Sequence, residues 1–186
     1  MKFVSLFFFL VLAQLSFTQS ELQQKEARLK ESLLKLVVQI RRFQPEIVLA
    51  NAIQDRHPDH GRAAKFISDA CFLAGLLKIE TSWKGETQTA WRPKAVYHYI
   101  QDRYIQPDFV IDVSEFKDTK SAAILAYKTQ FFDPNSTGPK TPISGKDFID
   151  FLEGRMRQFG REIGVEFGEG YTVERIPGVD FLDQLI

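Results

Sequence analysis

The chain has 186 residues, 44% of them hydrophobic and 13% aromatic, including 17 phenylalanines; such a composition fills a real core and excludes a disordered chain. Lys+Arg and Asp+Glu both number 24, so the basic excess expected of a general nucleic-acid binder is missing. Cys71 is the only cysteine, which excludes an internal disulfide and a cysteine-based zinc site and leaves any metal to histidine and carboxylate.

Met1-Lys2 and the apolar run 3–15 have the basic start and length of an export signal, and Ser16-Phe17-Thr18 offers small residues for cleavage near Gln19. The run is too short for a comfortable membrane span. Over residues 20–42, Leu29, Leu33, Leu36, Val37 and Ile40 recur at helical spacing between charges, with Ser20 as a cap and Pro45 as a stop; this predicts an amphipathic helix. Residues 46–50 read as a short, buried apolar strand, and 51–60 as a polar loop. A second helix is expected over 61–77, with Ala64, Ile67, Phe72 and Leu76 on its apolar side.

Residues 80–93 form a polar connection holding both tryptophans, and 95–100 and 109–113 read as strands. Ser114 is placed to cap a helix from 115 to about 129. Three prolines and two glycines over 133–145 mark a long loop near the site or a lid. A further helix is expected over 146–163 and a last strand over 171–175, with no internal repeat. Helices alternating with short apolar strands predict an α/β fold with a largely parallel sheet. A first strand and helix of a doubly wound fold are hard to find before Ser20.

The densest chemistry is Asp55-Arg56-His57-Pro58-Asp59-His60-Gly61, with two of the three histidines, two carboxylates and a guanidinium. It follows the 46–50 strand, and the carboxyl ends of strands are where open α/β sheets bind ligands. A neutral imidazole is a good zinc ligand, and a neighbouring carboxylate fixes its tautomer and direction. In one reading both histidines grip a metal. In another His60 holds the metal while His57 donates a proton or stabilises charge. In a third the loop is merely solvated and caps the next helix, with Asp59 near its start; hydrolytic zinc sites normally take three protein ligands.

The residues that carry a family resemblance are 41–53, leading into Asp55-Arg56-His57-Pro58-Asp59-His60-Gly61, then 68–76, Ala90-Trp91-Arg92-Pro93-Lys94, 96–101, 107–112, 126–128, 130–136, 142–144 and 169–175. On these the chain resembles the LmbE-like zinc N-acetylglucosaminyl deacetylases, most of all the branch that acts in bacillithiol biosynthesis, from about Leu33 to about Asp180. The resemblance implies a Rossmann-like, largely parallel sheet with helices on both faces. It implies zinc-dependent hydrolysis of the N-acetyl group of an N-acetylglucosaminyl conjugate, in that pathway with malate. It makes His60 a zinc ligand, has His57 stabilise the oxyanion or protonate the leaving amine, and has Asp59 tune or orient a histidine. Arg56, Arg92 and Arg103 are candidates for contact with an anionic substrate, against the commoner outcome of solvated surface arginines for Arg92 and Arg103.

Family members open with a strand and Ala-His-Pro-Asp-Asp, which supplies two zinc ligands and the base. No such segment precedes Leu33, and residues 1–56 contain no histidine. The expected organisation is therefore a signal-like or spurious leader over 1–28 and an incomplete deacetylase domain, lacking the first βα unit, over 29–186. The expected location is the cytoplasm, with export as the alternative from residues 1–18. The expected partner is a small-molecule sugar conjugate, with no nucleic acid and no stable membrane span; a second copy of the chain stays open. An inactive sugar-binding remnant or assembly protein is the alternative function. His98 alternates with Tyr97 and Tyr99 and is expected to be packed or pocket-lining, and Cys71 to be a small core residue. Asn135-Ser136-Thr137 matches a glycosylation sequon and is read as a chance occurrence.

Overall fold

The computed structural model describes residues 3–185, with side chains described from 19 to 184. In chain order the elements are α1 (Phe3–Phe43), β1 (Ile47–Ala50), α2 (Pro58–Ala74), β2 (Ser82–Trp83), β3 (Glu86–Thr87), β4 (Ala95–Tyr99), β5 (Phe109–Asp112), α3 (Lys117–Leu125), α4 (Lys146–Glu162) and β6 (Gly168–Val173). Single 3-10 turns lie at Ser114–Phe116 and Leu182–Leu185. Two compact units result: Met1–Ile47 with Lys65–Lys94, and Val48–Ala64 with Ala95–Ile186.

In the first unit α1 is longer than the periodic stretch, so Ser20 sits inside it and does not cap it. The apolar stripe is buried only toward the end, where Val37 and Ile40 enter the core while Leu29 stays 59% exposed. The export-signal reading of residues 1–18 concerns side chains outside the described residues. Arg41, in the last turn, is buried. Its guanidinium donates to the carbonyls of Ala74 (2.9 Å), Leu76 (2.8 Å) and Ile79 (2.6 Å) and to Thr81 Oγ1 (2.8 Å). One cation thus satisfies carbonyls left over where α2 ends, and burial lowers its pKa from the ordinary arginine value. Phe72, expected on the apolar side of α2, is 55% exposed and lies under the Arg92 guanidinium, 4.5 Å from its ring centroid. The polar connection over 80–93 contains an antiparallel hairpin, β2 with β3. Its turn places Lys84 at φ 52° and Gly85 at φ 86°, which twists the chain in the sense that hairpins need. A lysine in that position hid the turn from sequence reading.

The second unit is built on a four-stranded sheet in the order β1-β4-β6-β5. The alternation along β4 buries Val96 and His98 on one face. β6 runs antiparallel to both β4 (His98 opposite Thr172) and β5 (Val110 opposite Gly170), which corrects the expectation of a largely parallel sheet. Period-2 alternation marks a strand whichever way it runs; the direction comes from where α4 delivers the chain. β1 is an edge strand, as β5 is at the other side, and with Ile47 54% and Leu49 59% exposed it is not buried as expected. A four-residue apolar run does not say how many of its faces are covered.

α4 packs on β6 through Met156 and Phe159. A Cβ on Gly168 would stand 2.7 Å from the Gly160 nitrogen and 2.7 Å from Val110 Cγ1, so helix and strand meet at backbone distance. Ser114 does not cap α3, which begins three residues later and is shorter than expected; its Oγ accepts from the Phe167 N–H at 3.1 Å instead. Residues 133–145 hold neither helix nor strand, as expected. Among the described residues no helix is long and apolar enough to cross a membrane.

Candidate functional site

Pro58 opens α2, three residues before the expected start. Its fixed φ and missing N–H suit a first helical position, and the Asp59 carboxylate complements the dipole of the first turn. His60 is therefore carried on a helix rather than in a loop. Gly61 follows it where a Cβ would stand 3.0 Å from the Ile53 carbonyl oxygen, so a close backbone approach seats this turn.

Asp55 has a fully buried side chain. Its Oδ1 accepts the backbone N–H groups of Asp102 (3.1 Å) and Arg103 (2.8 Å), and its Oδ2 meets His60 Nδ1. Burial is the largest single influence on this carboxyl and raises its pKa. The Arg103 N–H, the His60 hydrogen bond and the N–H groups of Arg56 and Asp102 together outweigh it, and the carboxyl sits below its usual range. An ionised carboxylate only accepts, so His60 Nδ1 carries the hydrogen, and in the neutral ring Nε2 keeps its lone pair. This is how a carboxylate presents an imidazole to a metal.

His57 is half-exposed, with its ring centroid 5.4 Å from that of His60; its Nδ1 accepts the Asp59 N–H at 3.3 Å. The Asp59 carboxylate is 66% exposed, 2.9 Å from an Arg62 nitrogen and 3.8 Å from His57 Nδ1. It faces His57 and Arg62, and the carboxylate on His60 belongs to Asp55. Sequence reading placed Asp55 in the cluster but not among the site residues, because the contact exists only once the loop folds back on the first turn of α2. Arg56 Nε donates to Asp102 Oδ2 at 2.5 Å.

A cavity of about 120 Å³ joins these groups: Arg56, His57, His60, Gln101 and Asp102 give its polar lining. Gln130 and the apolar Phe131, Ile143 and Phe148 complete it. Arg92 belongs to the other unit, where it also donates to the Phe72 carbonyl at 3.0 Å. Arg103 contributes its backbone N–H to Asp55. His98 is packed, as expected: it is 2% exposed, with Nδ1 2.8 Å from the Asn51 carbonyl and Nε2 3.0 Å from Glu174 Oε1. Cys71 is buried, also as expected. Among the described residues no group of three His, Cys, Asp or Glu side chains is placed to hold a metal ion. His60, with Nδ1 held by Asp55 and its ring lining the cavity, could supply a single ligand.

No protein-family model matches the chain. The solved structures it is similar to include the conserved protein TT1542 from Thermus thermophilus, with 30% identity and a TM-score of 0.66, covering 80% of this chain and 60% of that one. A second is the 4-carboxy-2-hydroxymuconate hydratase of Pseudomonas putida, with 20% identity and a TM-score of 0.59 over 82% of this chain and 62% of that one. A third is the N,N'-diacetylchitobiose deacetylase of Pyrococcus horikoshii, with 22% identity and a TM-score of 0.60 over 84% of this chain and 56% of that one. The chain thus spans about 60% of the length of these proteins. The likenesses establish an α/β, Rossmann-like fold. That fold carries a hydratase in one neighbour and a deacetylase in another, so the reaction must be argued from the site.

Proposed function

We propose that this chain carries part of the site of a zinc-dependent deacetylase that hydrolyses the N-acetyl group of an N-acetylglucosaminyl conjugate, such as the malate conjugate of bacillithiol biosynthesis, in the cytoplasm. The observation that supports it is the Asp55–His60 pair at the edge of a small cavity, together with a fold that a deacetylase shares. His60 Nε2 serves as one zinc ligand, and Asp55 keeps the opposite nitrogen protonated. A bound zinc ion supplies polarisation of the acetyl carbonyl and a water of lowered pKa. His57, half-exposed beside His60, donates to the developing oxyanion or to the leaving amine. Arg56, ion-paired through Nε with Asp102 at the cavity, offers its other guanidinium N–H groups to an anionic aglycone. The further zinc ligands and the base are assigned to no residue of this chain.

The test is metal analysis and acetate release from N-acetylglucosaminyl malate, using the protein purified from its native cells. Zinc should co-purify, acetate should appear, and His60→Ala should lower the rate by at least about 100-fold. Binding of the conjugate without acetate release would support a sugar-binding protein instead. Full activity in His60→Ala would end the proposal.

A further inference from the structure

The peptide that joins Asp102 to Arg103 is gripped at both ends. Its N–H, on Arg103, donates to Asp55 Oδ1 at 2.8 Å, and its carbonyl, on Asp102, accepts from Arg155 Nη2 at 3.0 Å. In a planar trans amide the C=O and the N–H point in opposite directions, so fixing one aims the other. Arg155, on α4, thus holds the far side of the amide whose near side holds Asp55. The hydrogen bonds run head to tail from the Arg155 guanidinium through the 102–103 amide to the Asp55 carboxylate and on to His60 Nδ1. Bonds in such a series polarise one another, and a cation at the carbonyl makes the N–H behind it a better donor.

Packing fixes the guanidinium in turn. Its carbon lies 5.0 Å from the ring centroid of Phe151, 5.6 Å from that of Tyr104 and 5.8 Å from that of Phe159, distances at which a cation is attracted to an aromatic ring. Tyr104 stacks on Phe159 with centroids 6.0 Å apart, so a ring seats the same segment on α4 beside the hydrogen bond. Among the described residues the Asp102 carbonyl is the one hydrogen-bond partner of this side chain, and Nη1 is buried without any. Leaving a buried donor unpaired is costly. An apolar side chain would fill the space between three rings without that cost, so the bond to Asp102 is what sets this arginine apart.

We propose that Arg155 is a positioning residue for His60: acting through the 102–103 peptide, it holds Asp55 so that the imidazole keeps its hydrogen on Nδ1 and its lone pair on Nε2. Its consequence for zinc rests on the deacetylase reading, whereas the positioning is read without metal.

The experiment compares the purified chain with its Arg155→Met and Met156→Ala variants. The histidine rings, three in all, are followed by nitrogen-15 NMR under alkaline conditions that leave imidazoles neutral, together with the Arg103 amide proton and the melting temperature. Methionine is unbranched and packs well against rings, so Arg155→Met should fold. The unsubstituted chain should show one His60 tautomer, with hydrogen on Nδ1. In Arg155→Met the second tautomer should appear and the Arg103 amide proton should move upfield. Met156→Ala empties a buried position on the same helix; it should lower the melting temperature at least as much and leave both signals in place. Zinc affinity, by chelator competition, should fall about tenfold in Arg155→Met, the low end of what outer partners are worth. Unchanged His60 and Arg103 signals in Arg155→Met, equal changes in Met156→Ala, or two His60 tautomers in the unsubstituted chain would overturn the assignment and leave the deacetylase reading to its own test. Altered signals with zinc affinity unchanged would keep the positioning role and remove His60 from the metal.

Discussion

Asp55 decides what His60 can do. As a carboxylate it accepts from Nδ1 and frees Nε2, and it is held for that task by the N–H groups of Asp102 and Arg103. Asparagine has the same shape but the wrong donors. If its oxygen faces His60, its NH₂ confronts two backbone N–H groups; if the NH₂ faces His60, the ring proton moves to Nε2 and blocks the ligand position. Asp55→Asn should therefore weaken zinc binding by about 10–100-fold, the usual effect of losing such a partner, with little change in helix content. Chelator competition measures this, and unchanged affinity would show that Asp55 orients nothing. The histidines were legible in the sequence because two of three fall within four residues. The choice between Asp55 and Asp59 was not, since both are near in sequence and only one is turned inward.

At the scale of elements, the junction of α4 with β6 depends on two residues having no side chain. A methyl group on Gly168 meets the Gly160 nitrogen and Val110 Cγ1, and one on Gly160 meets the Val165 carbonyl oxygen at 2.8 Å. Backbone atoms cannot step aside as the end of a long side chain can. Gly168→Ala should cost about 1–3 kcal/mol by overpacking, visible as a lower urea midpoint with an unchanged slope. A shift equivalent to less than about 0.5 kcal/mol, the range of ordinary surface changes, would show that the helix and strand can separate without penalty. Gly154, where a methyl would find nothing within 4 Å, marks the contrast within α4 itself. Nothing in spacing separates these glycines, because what distinguishes them is how the chain turns back after α4, which brings Val165 against Gly160, and Gly160 and Val110 against Gly168.

For the molecule as a whole, two carboxyls in the sheet unit tie stability to pH. Glu169 is pushed up by burial, but the charge and hydrogen bond of Lys120 and the hydroxyl of Tyr171 prevail, so its pKa lies below the usual range. Asp55 is lowered in the same sense. Tyr171 is raised, by burial first and then by Glu169, so it stays protonated and keeps donating to Glu169 at 2.6 Å. A carboxyl whose folded pKa is depressed adds stability above its unfolded value, about 4, and loses it as pH falls through the folded value. The melting temperature should thus hold from pH 7 to about 5 and drop below about 4. Glu169→Gln should show a shallower drop. A protein that becomes more stable on acidification would contradict the assignment of both carboxyls.

Residue order alone determined the α/β class, the positions of β1, β4 and β5, the long loop over 133–145 and the cluster holding His57 and His60, because periodicity and local punctuation are properties of neighbours in the chain. Tertiary structure decided the antiparallel course of β6, the exposure of β1, the stacking of Arg92 over Phe72, and the pairing of Asp55 with His60. Each of these depends on which distant backbone or ring arrives beside a given side chain, and a contact across space has no period in the sequence.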